Sequence, residues 1–281
     1  MAIKITSDST CDLTPELLAQ YNIDIIPLSV ILEGKALKDG LEVTPDDIYR
    51  TVAATGSLPT TSAISVGEYQ DRFAPLSTQY DAVIHINISA DFSSCYQNAC
   101  IAAEDFDNVY VVDSRNLSTG HGHVVLEAAL AAQRGMSAPE IVDFLNDLTG
   151  RVEASFVLDQ LAYMVKGGRC SAVTALGANL LKLKPCIEVK DGKMGMVKKY
   201  RGTFAKVILE YVKDRLENRD DVIYDRIFIT YSSEMPEIVQ SVRAAVEQCG
   251  SFAEIIENRA GCTICSHCGP CCLGILFIRS K

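Results

Sequence analysis

The sequence predicts an α/β protein of two domains: a parallel-sheet N-terminal domain with helices on both faces, and a smaller C-terminal α/β domain built on a mixed sheet. Three observations lead there. Over the first 150 residues, short apolar runs alternate four times with helix-start signals and helical apolar spacing, the pattern of strand–helix units on a parallel sheet. Near Arg151 the pattern changes, and Asp191-Gly192 signals a hairpin, hence antiparallel pairing. The chain has 281 residues, 48% of them hydrophobic and 22% charged, a globular composition long enough for two such units. The domains are accordingly assigned to residues 1–150 and 151–281.

Taken in order, Ile3 to Ser7 alternates as a short strand and runs into the polar loop Ser7-Asp8-Ser9-Thr10-Cys11-Asp12. Thr14-Pro15-Glu16 supplies an N-cap with proline at the first helical position, and Leu17, Leu18 and Tyr21 form the apolar face. Asp8 suggests a phosphotransferase only weakly, because the paired-aspartate pattern needs an acid where this chain has Thr10. Residues 23–36 read as strands about a Glu33-Gly34 turn. Thr44-Pro45-Asp46-Asp47 caps a helix with Ile48 and Val52 inward, and Ser65 with Glu68 forms a capping box for a helix through Tyr69, Phe73 and Leu76. Between them Thr60-Thr61-Ser62 reads as a loop, whose hydroxyls are ordinary turn chemistry when taken alone.

Ala82 to Ile88 is a buried strand, and Phe92, Tyr96, Ala99, Cys100 and Ala103 follow it at helical spacing. Ser93 and Ser94 therefore sit where the carboxyl end of a strand meets a helix N-terminus. Ligands bind there in open α/β sheets, and free N–H groups favour an anion; ordinary N-capping by Ser93 accounts for the same residue type. Val109 to Val112 is the next strand. Gly120 and Gly122 flank His121 ahead of an alanine-rich helix running to Gln133; His121 and His123, two apart with no acid or thiol beside them, form no metal motif and are left without a role. Ser137 and Glu140 make a further capping box, opening a helix through Phe144, Leu145 and Leu148.

Beyond Arg151, Phe156 to Val165 is apolar and is broken by Lys166-Gly167-Gly168-Arg169. Cys186 to Val197 reads as a hairpin. Phe204, Val207, Ile208, Tyr211 and Val212 make one helix face, Ile227 to Tyr231 a strand, and Ile238, Val242 and Val246 another helix. A last strand pair, including Leu273 to Ile278, completes the unit.

Charge and cysteines restrict function. The N-terminal residues turn polar without a signal-peptide core, and no apolar run is long enough for a bilayer, so a cytoplasmic protein with reduced thiols is expected. A net charge of −10 disfavours nucleic acid and anionic membranes. Yet Lys166 to Lys206 holds ten Lys and Arg against Glu188 and Asp191, a local +8 that leaves −18 for the rest. That segment is either a solvated hairpin face or a site for an anion or acidic partner. The cysteines number eleven, are scattered, and do not suit a disulfide framework. Five of them, Cys262, Cys265, Cys268, Cys271 and Cys272, crowd with His267 and Gly269-Pro270 into what reads as one loop, Gly261 to Gly274.

That loop supports a thiol-based metal or redox protein as the alternative function. Its steps of three approach a ferredoxin run, but the last gap is one residue short and the proline precedes the last cysteine. Zinc pairs need a spacer of about 12 residues, and here they abut. The other reading is cysteine as a small buried hydrophobe. A hydrolase built on Ser93 and His267 lacks an evident orienting acid and the glycines of a Gly-x-Ser-x-Gly elbow.

Several motifs, in order, resemble those of the DegV family over the whole chain: Ser7 to Asp12, Thr60-Thr61-Ser62, Ser93 before Tyr96-Gln97, Val112-Asp113-Ser114, Lys166-Gly167-Gly168-Arg169 and His267-Cys268-Gly269-Pro270. These are bacterial fatty-acid-binding proteins of the FakB type. The resemblance implies a two-domain carrier that encloses one long-chain fatty acid between its domains. It would present that lipid to an ATP-dependent fatty acid kinase for acyl-phosphate formation, in phospholipid synthesis. It implies no catalytic residue, no metal, no cofactor besides the lipid, no nucleic acid and only transient membrane contact. By position, it assigns the carboxylate to Thr61, Ser93 and His267, with Ser62 and Ser94 in support, and gives Arg169 and Arg201 to the kinase or the phosphorylated head group. The family turn ends in glycine where this chain has Cys271, and the family's Gly-Thr after the serine is Ser94-Cys95. Hydroxyls, a helix N-terminus and an imidazole N–H can together hold a carboxylate without a fixed cation.

Overall fold

The computed structural model describes residues 2–174 and 183–280. The first half runs β1 (Ile3–Asp8), α1 (Pro15–Gln20), β2 (Asp24–Ile26), β3 (Ser29–Leu32), β4 (Lys35–Lys38), α2 (Pro45–Thr55), β5 (Thr60–Ser62), α3 (Val66–Gln79), β6 (Ala82–Asn87), α4 (Cys95–Ala103), β7 (Val109–Asp113), α5 (Ser118–Gln133) and α6 (Ala138–Thr149). The second half runs β8 (Val152–Leu158), α7 (Ala162–Gly167), α8 (Ser171–Thr174), β9 (Leu183–Lys190), β10 (Lys193–Arg201), α9 (Phe204–Leu216), β11 (Val222–Tyr231), α10 (Pro236–Cys249), β12 (Glu254–Arg259), α11 (Cys262–Cys268) and β13 (Cys272–Arg279).

The molecule is a two-domain α/β protein. Its N-terminal sheet has the order β2-β1-β6-β7 and is parallel throughout. Every residue of β6 is buried, as a strand covered on both faces requires. Two helix pairs, α3 with α4 and α5 with α6, pack on this sheet. The three capping boxes, at Thr44–Asp47, Ser65–Glu68 and Ser137–Glu140, are all formed.

A second, antiparallel sheet of order β4-β3-β5 stands beside it. Thr60–Ser62 is therefore a strand and not the loop expected, because pairing of Val30 with Thr61 fixes its backbone. The C-terminal sheet is mixed and has six strands in the order β10-β9-β8-β13-β11-β12. Its hairpin turns at Asp191 and Gly192, both left-handed with φ of 50° and 80°, as the tight two-residue turn demands. The expected last strand pair is corrected: β12 and β13 do not pair but lie on opposite sides of β11.

Helix α5 is the wall common to both sheets, touching β1 and β6 on one side and β8, β11 and β13 on the other. Its Gly-His-Gly-His start now has a reason. A Cβ on Gly122 would lie 2.6 Å from the Cys11 carbonyl oxygen, so only glycine allows the approach. His121 Nε2 lies 3.0 Å from Ser7 Oγ and 3.2 Å from the Ile86 carbonyl oxygen, while His123 Nε2 donates to the Leu276 carbonyl oxygen at 3.0 Å. One histidine ties the helix to the first sheet and the other to the second.

Candidate functional site

Cys262 to Cys268 is a helix, not part of one loop as the cysteine spacing suggested. The residues are weak helix formers, and α11 exists because it is docked on α2, α7, β3 and β5. Two adjacent rows of its surface face a space between the two halves of the molecule. Thr263 and His267, one turn apart, face an outer cavity; Ile264 and Cys268, the neighbouring row, face both that cavity and an inner one.

The outer cavity encloses about 730 Å³ of empty space, part of it open to solvent. Polar side chains line it from several elements: Thr61 and Ser62 from β5, Ser93 and Ser94 from the turn before α4, Thr263 and His267 from α11, and Arg169 after α7. Leu28, Ile88, Phe92, Leu117, Met164, Met194 and Ile264 supply the apolar walls.

His267 Nε2 lies 2.9 Å from Thr61 Oγ1, a contact between residues 206 apart in sequence. Nδ1 is buried, has no hydrogen-bond partner, and faces Gly167. Burial, with a smaller contribution from the positive Arg169, holds the imidazole pKa down to about 4. The ring is neutral at physiological pH. Placing its proton on Nε2 lets it donate to Thr61 Oγ1 and leaves the Thr61 hydroxyl hydrogen free to point into the cavity.

Ser93 does not cap α4 in the expected way. Ser94 occupies the cap position without a side-chain bond, and Ser93 Oγ accepts from the Cys95 backbone N–H at 3.2 Å while donating to Cys95 Sγ at 3.1 Å. Arg169 is exposed at the cavity rim, where its Nε donates to the Phe92 carbonyl oxygen at 3.4 Å and Nη1 to the Gly167 carbonyl oxygen at 2.6 Å. Arg201 is exposed at the end of β10 and is not among the residues lining the cavity. Of the basic segment, Lys182 lies outside the described residues.

The inner cavity, with about 340 Å³ of empty space that also includes some open to solvent, shares Leu117, Ile264 and Cys268 with the outer one. Several hydroxyl side chains line it, but their hydrogen bonds are made elsewhere: Ser118 with Asp12 at 2.6 Å, Ser155 with Tyr211 at 2.8 Å, Thr230 with Thr119 at 2.6 Å and Ser232 with the Gly269 carbonyl oxygen at 2.6 Å. What remains on offer is apolar, with Phe156, Ala260 and Leu276 among the walls.

Cys262 and Cys265 are protonated fillers. Burial pushes the Cys262 and Cys265 thiols far up, and their S–H groups donate to backbone carbonyls, Cys262 to Val43 at 3.1 Å and Cys265 to Ala260 at 3.3 Å. Among the described residues, no group of three or more His, Cys, Asp or Glu is placed to hold a metal ion. The hydrolase pairing gains nothing either, since the hydroxyl on the His267 ring is that of Thr61 and no acid meets Nδ1. Cys271 has φ of 56°, so the chain keeps the left-handed turn although the residue is not glycine.

Sequence reasoning missed Leu28, Met164, Met194 and Thr263, whose apolar or lone hydroxyl side chains carry no motif. Gly167 was noted as a chain break and as part of the Lys166-Gly167-Gly168-Arg169 motif, without a role of its own. A Cβ there would fall 2.3 Å from His267 Nδ1, so its role is to lie flat against the imidazole.

Comparison with known proteins bears on this site. The family model described as "Uncharacterised protein, DegV family" matches residues 2–280. A DegV domain-containing protein of Caldanaerobacter subterraneus subsp. tengcongensis is 31% identical over 277 residues, 98% of either chain. Among solved structures, a DegV family protein of Thermus thermophilus described for its fatty acid binding superposes with a TM-score of 0.90 at 29% identity, covering 99% of this chain and 100% of that one. A stearic acid-binding protein of Eubacterium ventriosum does so with a TM-score of 0.84 at 27% identity, covering 99% and 98%. With the family model spanning nearly all of its length and the fold shared throughout, the chain belongs to the DegV family.

Proposed function

We propose that this protein binds one long-chain fatty acid between its two halves, divided at about residue 150, and presents it in the cytoplasm to a fatty acid kinase that forms the acyl phosphate. The observation that carries this reading is the pairing of a hydroxyl-rich outer cavity with an apolar inner one across Leu117, Ile264 and Cys268. A carboxylate on an alkyl chain has that same division.

In the outer cavity Thr61 donates to the carboxylate with His267 orienting it from behind, and Ser93 donates once its hydroxyl hydrogen turns from Cys95 Sγ to the ligand. Ser62 and Ser94 stand beside them. Burying a lone carboxylate costs several kcal/mol unless it is well hydrogen-bonded, which is what these donors provide. The tail supplies most of the affinity: at about 0.8 kcal/mol per methylene, some fifteen carbons are worth on the order of 12 kcal/mol gross. With His267 neutral, no fixed cation clamps the head group, and one carboxylate oxygen can be offered to the phosphoryl donor of the partner. Arg169 at the rim and Arg201 on the exposed hairpin extend a positive surface toward that partner and toward phosphate.

The protein acts as a carrier, with the phosphoryl-transfer chemistry done by the kinase. Solvent extraction and mass spectrometry of the purified protein test the reading: one equivalent of fatty acid is expected. A ligand-free protein that also fails to take up added fatty acid would sink it. Arg169→Ala should leave lipid content unchanged and slow acyl-phosphate formation.

A further inference from the structure

Helix α11 carries His267 yet has only seven residues, fewer than a helix needs to persist by itself in water. Its cap residue, Gly261, has no side chain to satisfy the free N–H groups at the start. Two carboxylates from the other half of the chain do this. Asp39, just after β4, accepts from the Cys262 N–H on Oδ1 at 2.8 Å and from the Thr263 N–H on Oδ2 at 3.0 Å. Ser9 Oγ donates to the same Oδ2 at 3.0 Å and so holds the carboxylate in place. Asp12 accepts from the Gly261 N–H at 2.9 Å.

The approach is tight. A Cβ on Gly261 would stand 2.9 Å from Asp12 Oδ1 and 3.5 Å from Asp39 Oδ1. Asp39 is 5% exposed, so its bonds to α11 are shielded from water, and its charge faces the positive end of the helix dipole. A helix of two turns is stiff over its length. A shift at Cys262 is therefore delivered, one turn further on, to His267 and its 2.9 Å contact with Thr61.

We propose that Asp39 is the positioning residue of the head-group site: by gripping the start of α11 from the N-terminal half, it sets His267 against Thr61 and so governs carboxylate recognition without touching the ligand. This rests on the fatty-acid reading above. It also makes ligand recognition depend on how the two halves dock, because the residue that aligns the histidine belongs to one half and the histidine to the other.

The test uses the full chain, stripped of lipid, with palmitate and the head-group control cetyl alcohol as probes. Asn at position 39 keeps the size of the side chain but offers one acceptor to two N–H groups. Asp39→Asn is expected to weaken palmitate about tenfold and cetyl alcohol by less than about twofold. The His267 ring signals in the NMR spectrum should move as they do in Thr61→Val. Combined with Thr61→Val, Asp39→Asn should add no further loss for palmitate, since both act through one contact. Equal weakening of both probes, additive losses, or unchanged His267 signals would overturn the proposal. If Asp39→Asn does not fold, Ser9→Ala, which removes only one support of the carboxylate, should shift the His267 signals in the same direction; unchanged signals there overturn it as well. Wild-type protein that binds neither probe defeats the fatty-acid reading, while the ring signals still decide the role of Asp39.

Discussion

Gly167 lies flat against His267, so close that a methyl group on its Cα would fall 2.3 Å from Nδ1. The next residue, Gly168, is glycine for a different reason, since it closes α7 with φ of 69°. The two substitutions to alanine should therefore differ. Gly167→Ala pushes the imidazole off Thr61 or lifts α7, at about 1–3 kcal/mol of stability, and should lower fatty-acid affinity. Gly168→Ala should cost about 1 kcal/mol of stability and leave binding alone. Urea unfolding and lipid titration of both variants check this; equal effects on binding would contradict it.

Cys271 holds a left-handed backbone that L residues adopt at a cost of about 1–2 kcal/mol. Cys271→Gly removes that strain and adds freedom to the unfolded chain, worth about 0.5–1 kcal/mol in the opposite direction. A net gain of about 0.5 kcal/mol is expected, read as a higher urea midpoint at unchanged slope.

All four histidines are held below the ordinary imidazole pKa, chiefly by burial: His267 to about 4, His85 and His123 to about 3, and His121 in the same direction. A depressed pKa means that the unfolded chain takes up the proton first as the solution is acidified. The stability tied to His123 is complete above pH 6.5 and is lost as pH falls from there toward about 3. Asp12 and Glu127, raised by burial, act with the opposite sign, so the total curve mixes both. His123→Gln isolates one group, because the amide can still donate to the Leu276 carbonyl oxygen. Between pH 6 and 4 the advantage of wild type over this variant should shrink by about 1.4 kcal/mol per pH unit. A constant difference in urea unfolding would refute the assignment.

Of the eleven cysteines, Cys100, Cys249 and Cys271 are partly exposed and eight are buried. Burial also pushes thiols such as Cys11 to about 12 and Cys95 to about 11, which starves them of the reactive thiolate. A disulfide reagent at pH 8 should therefore titrate three thiols in the folded protein and the rest only after unfolding. A larger fast count would mean that the fold opens more readily than its packing indicates.

The legible parts of the sequence were those whose partners are close along it. The capping boxes at Thr44, Ser65 and Ser137 and the Asp191-Gly192 turn are local devices, and each formed as expected. Helix α11 and strand β5 were not legible, because neither has the composition or length to form by itself; docking and pairing make them. The meeting of Thr61 with His267 could be anticipated only through family resemblance, since no local rule joins residues 206 apart. Arg201 was visible as a cation, but only the hairpin geometry places it away from the cavity.

Strand β13 stands in the middle of the six-stranded sheet, between β8 and β11, although it follows every other strand of that sheet in the chain. During synthesis, then, β8 and β11 are complete while the slot between them is still empty. Until residue 279 has emerged, each waits with an unpaired edge, and such edges invite pairing with other chains. A nascent chain stalled before Cys272 should accordingly bind chaperone and resist dilution from it, whereas one extended beyond Lys281 by a linker that brings Arg279 clear of the ribosome should release. Because α11 lies just ahead of this strand, the wall that Thr263, Ile264, His267 and Cys268 give the cavity arrives in the same late step, and the cavity is complete only in a chain whose sheet has been sealed.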